Sequence, residues 1–136
     1  ICTIGDLNLD VVVLPRGPLV PDGDTPAHIR VAAGGQAAHV AAWASVLGAR
    51  GRLICARGTD PAAFFAAAEL ERRGVELRGP VIEGSGGVVV STREPDGART
   101  MASDAGVAAK LSADTLDPAW VRGADVLHVS ARQRLR

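Results

Sequence analysis

Apolar residues come along this chain in short bursts, and the spacing within them changes from strand-like to helix-like and back. Ile1 to Gly5 is a compact apolar run ending in glycine, which predicts a buried strand entering a loop. A second, valine-rich run from Leu9 to Leu14 stops at Pro15, Gly17 and Pro18, and the stretch Arg16 to Pro26 reads as loop. Alternation follows from Ala27 to Ala33, with Ile29, Val31 and Ala33 on one face and His28, Arg30 and Ala32 on the other. That is the pattern of a half-exposed strand. Gln36 to Leu47 is almost wholly Ala, Val, Trp43 and Leu47: a helix apolar around most of its girth, expected to be buried on more than one side and to end at Gly48.

Arg52 to Ala56 predicts another strand. Asp60-Pro61 supplies an N-cap and first turn for a helix through Arg73. In that helix Phe64, Ala67, Ala68 and Leu70 are expected inward, and Glu69, Glu71, Arg72 and Arg73 toward water; Gly74 closes it. Leu77 to Ile82 then leads to the turn Gly84-Ser85-Gly86-Gly87, to Val88–Thr92, to the turn Pro95-Asp96-Gly97 and to Ala98–Met101. Ser112 to Arg122 reads as a short, proline-interrupted helical region, and Asp125 to Ser130 as a final buried strand. Helices and strands alternating around an inserted β-rich section imply an α/β fold with a parallel sheet and a small accessory sheet. The accessory segments, near 11–33 and 86–102, should stand off the main sheet, with one apolar face that covers a ligand or pairs with a second copy.

Composition narrows the functional classes. A chain of 136 residues has room for one domain, and 47% hydrophobic with 22% charged residues is the balance of an ordinary soluble globular protein. Fifteen basic residues match fifteen acidic ones, so no basic field exists to hold nucleic acid or an anionic membrane, and neither is an expected partner. Arg or Gly interrupts every apolar stretch before it reaches membrane-spanning length. No signal peptide precedes the first strand, which makes the cytoplasm the default location, and an opening at Ile1 instead of Met points to a trimmed start. Cys2 and Cys55 each sit inside an apolar run and are expected as buried free thiols; no Cys or His spacing suits a metal.

Two constellations carry candidate chemistry. In Gly5-Asp6-Leu7-Asn8-Leu9-Asp10, at the carboxyl end of the first strand, Asn8 and Asp10 project to the same side of an extended chain. An amide beside a carboxylate suits hydroxyl groups, which donate and accept at once; turn-forming duty is the plainer alternative. In Gly34-Gly35-Gln36-Ala37-Ala38-His39, two glycines before a helix let backbone approach a ligand, and Gln36 and His39 share a face of the first turn. Tight strand-to-helix packing and a satisfied buried histidine are the competing explanations. Neither segment is a G-x-G-x-x-G or a G-x-x-x-x-G-K-[ST] loop, which disfavours a Rossmann dehydrogenase.

The order Gly-x-x-Asn-x-Asp, a Pro/Gly loop, a strand, Gly-Gly-x-x-Ala-x-x-x-Ala and Leu-Gly-Ala resembles the opening of the ribokinase or PfkB carbohydrate kinase family. Gly58-Thr59-Asp60, Arg72-Arg73-Gly74-Val75, Gly86-Gly87-Val88-Val89-Val90, Asp96-Gly97-Ala98-Arg99-Thr100-Met101 and Ala105 to Ser112 are similar to later segments of that family, so the likeness runs from Ile1 to Ser130. It implies a three-layer α/β/α core, truncated after about its first half, with a small β-sheet lid. It also implies sugar contacts at Asn8, Asp10, Gly35, Gln36 and His39, with Gly34 beside them. Gln36 stands where ribokinase has Lys, His39 where the family often has Asn, and Val107-Ala108 where Ala-Asn is usual.

The parent activity implied is phosphorylation of a sugar or nucleoside hydroxyl with ATP and Mg²⁺. The family's Gly-Ala-Gly-Asp segment has no counterpart after Ser112 or elsewhere in this sequence. No catalytic residue, ATP site or metal site is therefore expected in the chain itself, and a homodimer through the lid is an expected partner arrangement. The alternative from another class is a non-catalytic sugar-binding or regulatory module on the same fold. The closing Ala131 to Arg136, with three arginines, is expected to have no native packing role.

Overall fold

A computed structural model describes residues 1–93 and 96–130. Pro95 of the expected turn, and the arginine-rich end 131–136, lie outside the described residues.

Four short strands make one all-parallel sheet. β1 (Cys2–Ile4) lies at its interior, between β4 (Arg52–Ile54) and β8 (Leu127–Val129), and β5 (Glu76–Arg78) flanks β4. The register sets Cys2 opposite both Arg52 and Leu127. A strand between two parallel neighbours is covered on both faces and reads as an unbroken apolar run; Cys2, Thr3 and Ile4 are all buried, and the Thr3 hydroxyl is satisfied by the Arg52 carbonyl at 3.2 Å.

Alternation along these strands divides the core into two layers. Leu53 and Cys55 face α1 (Gln36–Val46) and α2 (Pro61–Arg72), together with Leu7, Ala66, Leu70 and Val75. Cys2, Ile4, Ile54 and Ala56 face the other way, where Leu111, Leu116, Trp120 and Val121 cover them. That third layer consists of short 3₁₀ turns at 106–110, 113–115 and 118–121. Asp117-Pro118 is one reason it stays short: the Asp117 side chain caps the turn and the proline cannot continue a preceding helix.

The second sheet has the order β3 (Ala27–Gly34), β2 (Asn8–Pro15), β6 (Gly87–Arg93), β7 (Arg99–Asp104). Its strands are those expected of the accessory sheet, although β7 continues past Met101 to Asp104. β2 pairs antiparallel with β3 and parallel with β6. α2 packs against both sheets and joins them. The Asp60 carboxylate caps α2 through Ala63 N–H at 3.0 Å and also accepts from Gly86 N–H at 2.9 Å, just before β6.

Three expectations of burial need correction. α1 buries Ala37, Ala38, Ala41, Ala42 and Ala44 but leaves Trp43, Val46 and Leu47 exposed. Alanines bring the helix close to the sheet, so the bulky residues occupy its outer side. In α2, Phe64 is 62% exposed whereas Glu69 is only 8% exposed. The Glu69 carboxylate is drawn inward because it accepts the Ala33 N–H and pairs with Arg73 one turn later. Charge alone predicted the opposite. Finally, β8 is an edge strand with Leu127 and Val129 about half exposed, because among the described residues it pairs only with β1.

Candidate functional site

The chain leaves β1 at Gly5, crosses the carboxyl edge of the parallel sheet through Asp6 and Leu7, and enters β2 at Asn8. β3 then returns to this edge at Gly34 and turns directly into α1. The sequence-predicted residues are thus gathered where a sheet, a strand end and a helix start meet.

Asp10 and Gly34 are diagonal neighbours across the β2–β3 ladder, since Asn8 pairs with Gly34 and Asp10 with Ala32. A Cβ on Gly34 would stand 2.1 Å from Asp10 Cγ and 2.2 Å from each carboxylate oxygen. The carboxylate therefore occupies the room that the absent side chain leaves. Asn8 is seated in the same way, its Oδ1 filling the place of a Cβ on Gly87 across the other ladder. The Asn8 amide nitrogen donates to Asp6 Oδ2 at 3.0 Å. Gly35 has φ of 107° and its missing Cβ would fall 2.4 Å from the Asp6 carbonyl oxygen, so both conformation and space require glycine there.

Burial pushes the Asp10 carboxyl above its ordinary range; His39 and Arg99 draw it back, and the nearby Asp6 adds to the rise. His39, on the first turn of α1, is solvent-exposed and within electrostatic reach of Asp10. Gln36 is engaged differently: its Oε1 accepts from the Ser130 hydroxyl at 2.9 Å, tying the start of α1 to the end of β8. Five of the six predicted residues thus group around Asp10 and Asn8, while the Gln36 amide faces β8.

Sequence reasoning passed over Asp6, Arg99 and Ser130. Asp6 stood inside the first motif, and its second oxygen is buried with no partner among the described residues. Arg99 and Ser130 reach the site only through pairings between distant segments, which leave no local signal.

A cavity of about 370 Å³ opens at the opposite, amino edge of the sheet, lined by Arg50, Arg52, Glu76 and Arg122 among others. Arg52 is committed there to Glu76 and to the carbonyls of Trp120 and Arg122. That region lies across the sheet from Asp10. Among the described residues no three His, Cys, Asp or Glu side chains gather to hold a metal ion. Cys2 and Cys55 are buried free thiols, and among the described residues no helix is long and apolar enough to cross a membrane.

Residues 1–135 match the family profile described as pfkB family carbohydrate kinase. Among solved structures the chain is similar to fructokinase from Xylella fastidiosa, with TM-score 0.74 and 20% identity over 95% of this chain and 41% of that one. Similarity to adenosine kinase from Sinorhizobium meliloti has TM-score 0.76 and 18% identity over 94% and 46%. For ribokinase from Cryptococcus neoformans var. grubii serotype A in complex with ADP the values are 0.71 and 22%, over 94% and 40%. The chain therefore spans less than half the length of these solved proteins. No curated protein matches the sequence.

Proposed function

Because the chain belongs to the pfkB family of carbohydrate kinases, we propose that it carries the acceptor side of an ATP-dependent sugar or nucleoside kinase. Asn8 and Asp10 bind substrate hydroxyls, with Gly34, Gly35 and His39 shaping the wall around them. Gln36, held by Ser130, positions the start of α1. The sheet β3–β2–β6–β7 serves as the lid. The observation that carries this reading is the Asp10 carboxylate seated on Gly34 beside His39, at the carboxyl edge of a parallel sheet. A carboxylate fixed by packing is preorganised to accept from hydroxyls without a search through rotamers.

No group of three metal-ligating side chains forms among the described residues, and the sequence holds no glycine-rich phosphate loop. The proposal assigns Mg²⁺ and ATP to the parent enzyme. Its apolar lid face, bearing Ile29, Val31 and Val90, is assigned to a second copy of the chain.

Calorimetric titration of the purified chain with pentoses, hexoses and nucleosides tests the reading. At least one should bind, and Asp10→Asn should abolish binding while circular dichroism stays unchanged. With ATP and Mg²⁺ added, no phosphorylation above background is expected, because the sequence holds no Gly-Ala-Gly-Asp segment to stabilise the transferred group. Turnover by a clean preparation would refute the half-enzyme assignment. Binding that survives Asp10→Asn would refute the site.

A further inference from the structure

The side of the second sheet that bears Asn8 and Asp10 also bears several cations, spread over β3, β6 and β7. Residues in register share a face. In one row Asp10 lies between Ala32 and Val89; in the next Val12 lies between Arg30 and Ser91; beyond that, Leu14 stands opposite His28, and Arg93 opposite Arg99. Arg30 Nε and His28 Nε2 are hydrogen-bonded at 3.0 Å, as two residues on one side of a strand can be. His28, Arg30, Arg93 and Arg99 are all exposed. Arg52, Arg73 and Arg78 each sit in an ion pair, but among the described residues Arg30, Arg93 and Arg99 do not.

Successive rows on one face are about 7 Å apart along a strand. The cations therefore lie roughly 7 to 13 Å from the Asp10 row, with long side chains that shorten the gap. Arg99 is near enough for the Asp10 carboxyl to respond to its charge. A neutral hydroxyl can accept from one guanidinium but offers no charge to match three, whereas the planar fork of Arg matches phosphate and carboxylate oxygens two at a time.

We propose that the acceptor sugar carries an anionic group, phosphate or carboxylate, held by Arg30, Arg93 and Arg99 while Asn8 and Asp10 hold its hydroxyls. This rests on the sugar-side reading of Asn8 and Asp10 and narrows its substrate class. His28, bonded to Arg30, is a positioning residue for that guanidinium.

The test is calorimetric titration of the chain at low ionic strength with matched probes: glucose, glucose 6-phosphate and glucuronate; fructose and fructose 6-phosphate; ribose and ribose 5-phosphate; and inorganic phosphate. In at least one set a charged member should bind about tenfold tighter than its neutral partner. Arg30→Gln and Arg93→Gln should each remove most of that preference and leave the neutral sugar's affinity unchanged. Both positions are exposed, so the variants should fold, which circular dichroism checks. Whether the phosphates or the glucuronate gain decides which anion is taken. Equal binding of neutral and charged members would overturn the anion subsite and leave the sugar site standing. So would inorganic phosphate binding as tightly as any sugar phosphate and ignoring Asp10→Asn. Failure of every probe to bind would overturn both readings together.

Discussion

Gly34→Ala should change sign according to what stands at position 10. The added methyl would lie 2.1 Å from Asp10 Cγ, inside any tolerable contact, so Asp10 must leave its seat or β2 and β3 must part. Overpacking of this kind costs about 1–3 kcal/mol. Gly34 is not among the glycines with positive φ, so no conformational penalty hides beneath the clash. With Asp10→Ala already in place the clash disappears. Alanine should then stabilise the strand by about 0.5–1 kcal/mol, the amount by which glycine weakens an ordered segment. The two substitutions should therefore couple by about 1.5–4 kcal/mol in a double-mutant cycle. Urea unfolding of the four proteins, followed by the fluorescence of Trp43 and Trp120, measures it. If Gly34→Ala costs the same with and without Asp10, the carboxylate does not rest on Gly34 and the construction of the site is wrong.

Three further outcomes follow from the same structure. The Asp10 carboxyl is raised chiefly by burial, so the fold holds its proton more tightly than the unfolded chain does. Its charged form then costs stability at neutral pH, and that cost fades as pH falls through the folded value. Asp10→Asn should accordingly unfold at higher urea than wild type at pH 7, with the advantage gone near pH 3; equal midpoints at both would refute this. Asp60 is held below its usual value, first by Gly86 N–H and also by Ala63 N–H. It contributes stability above the ordinary carboxylate range that is lost as pH falls through the lowered value; Asp60→Ala should cost about 1–2 kcal/mol at pH 7 and flatten the acid limb, with Asp60→Asn recovering part of the loss. Burial pushes the Cys55 thiol up to about 12, so a disulfide reagent at pH 8 should label neither cysteine of the native chain and both in urea.

How much of this could be read along the chain depends on how far apart the causes lie. Strands and helices were legible because glycine and proline punctuate them, and because Asp60-Pro61 starts a helix by a local mechanism. The placement of Asn8 and Asp10 on one side followed from strand alternation, and the ladder with β3 agrees. Their seats were not legible: Gly34 and Gly87 come from other strands, and which glycine lies beneath which side chain is a matter of register. Glu69 shows the same limit. Nothing in its helix marks it for burial, since the group that draws it in is an unpaired backbone N–H of Ala33, 36 residues away. Phe64 is the converse case, apolar yet outward, because small residues at Ala63 and Ala66 already fill the helix's inner side. Gln36 looked like a substrate contact by its position on the first turn, and its engagement with Ser130 depended on a residue 94 positions on.

The position of β8 has a consequence for how the chain acquires its shape. β1 sits between β4 and β8, so one of its neighbours follows it closely in the sequence and the other emerges much later. Closing a loop costs only about 0.6 kcal/mol more for each doubling of its length, so the late pairing is hardly penalised at equilibrium. In time it matters more. At about 5–20 residues per second, several seconds separate the emergence of β4 from that of β8. During that interval the outer edge of β1, with the apolar Cys2 and Ile4, stands open to any strand that reaches it first. The Ser130–Gln36 hydrogen bond and the β1–β8 ladder can form only once β8 has emerged, and they close that edge. A chain halted before residue 127 would leave β1 paired with β4 on one side and open on the other, an edge that chaperones and neighbouring strands could reach.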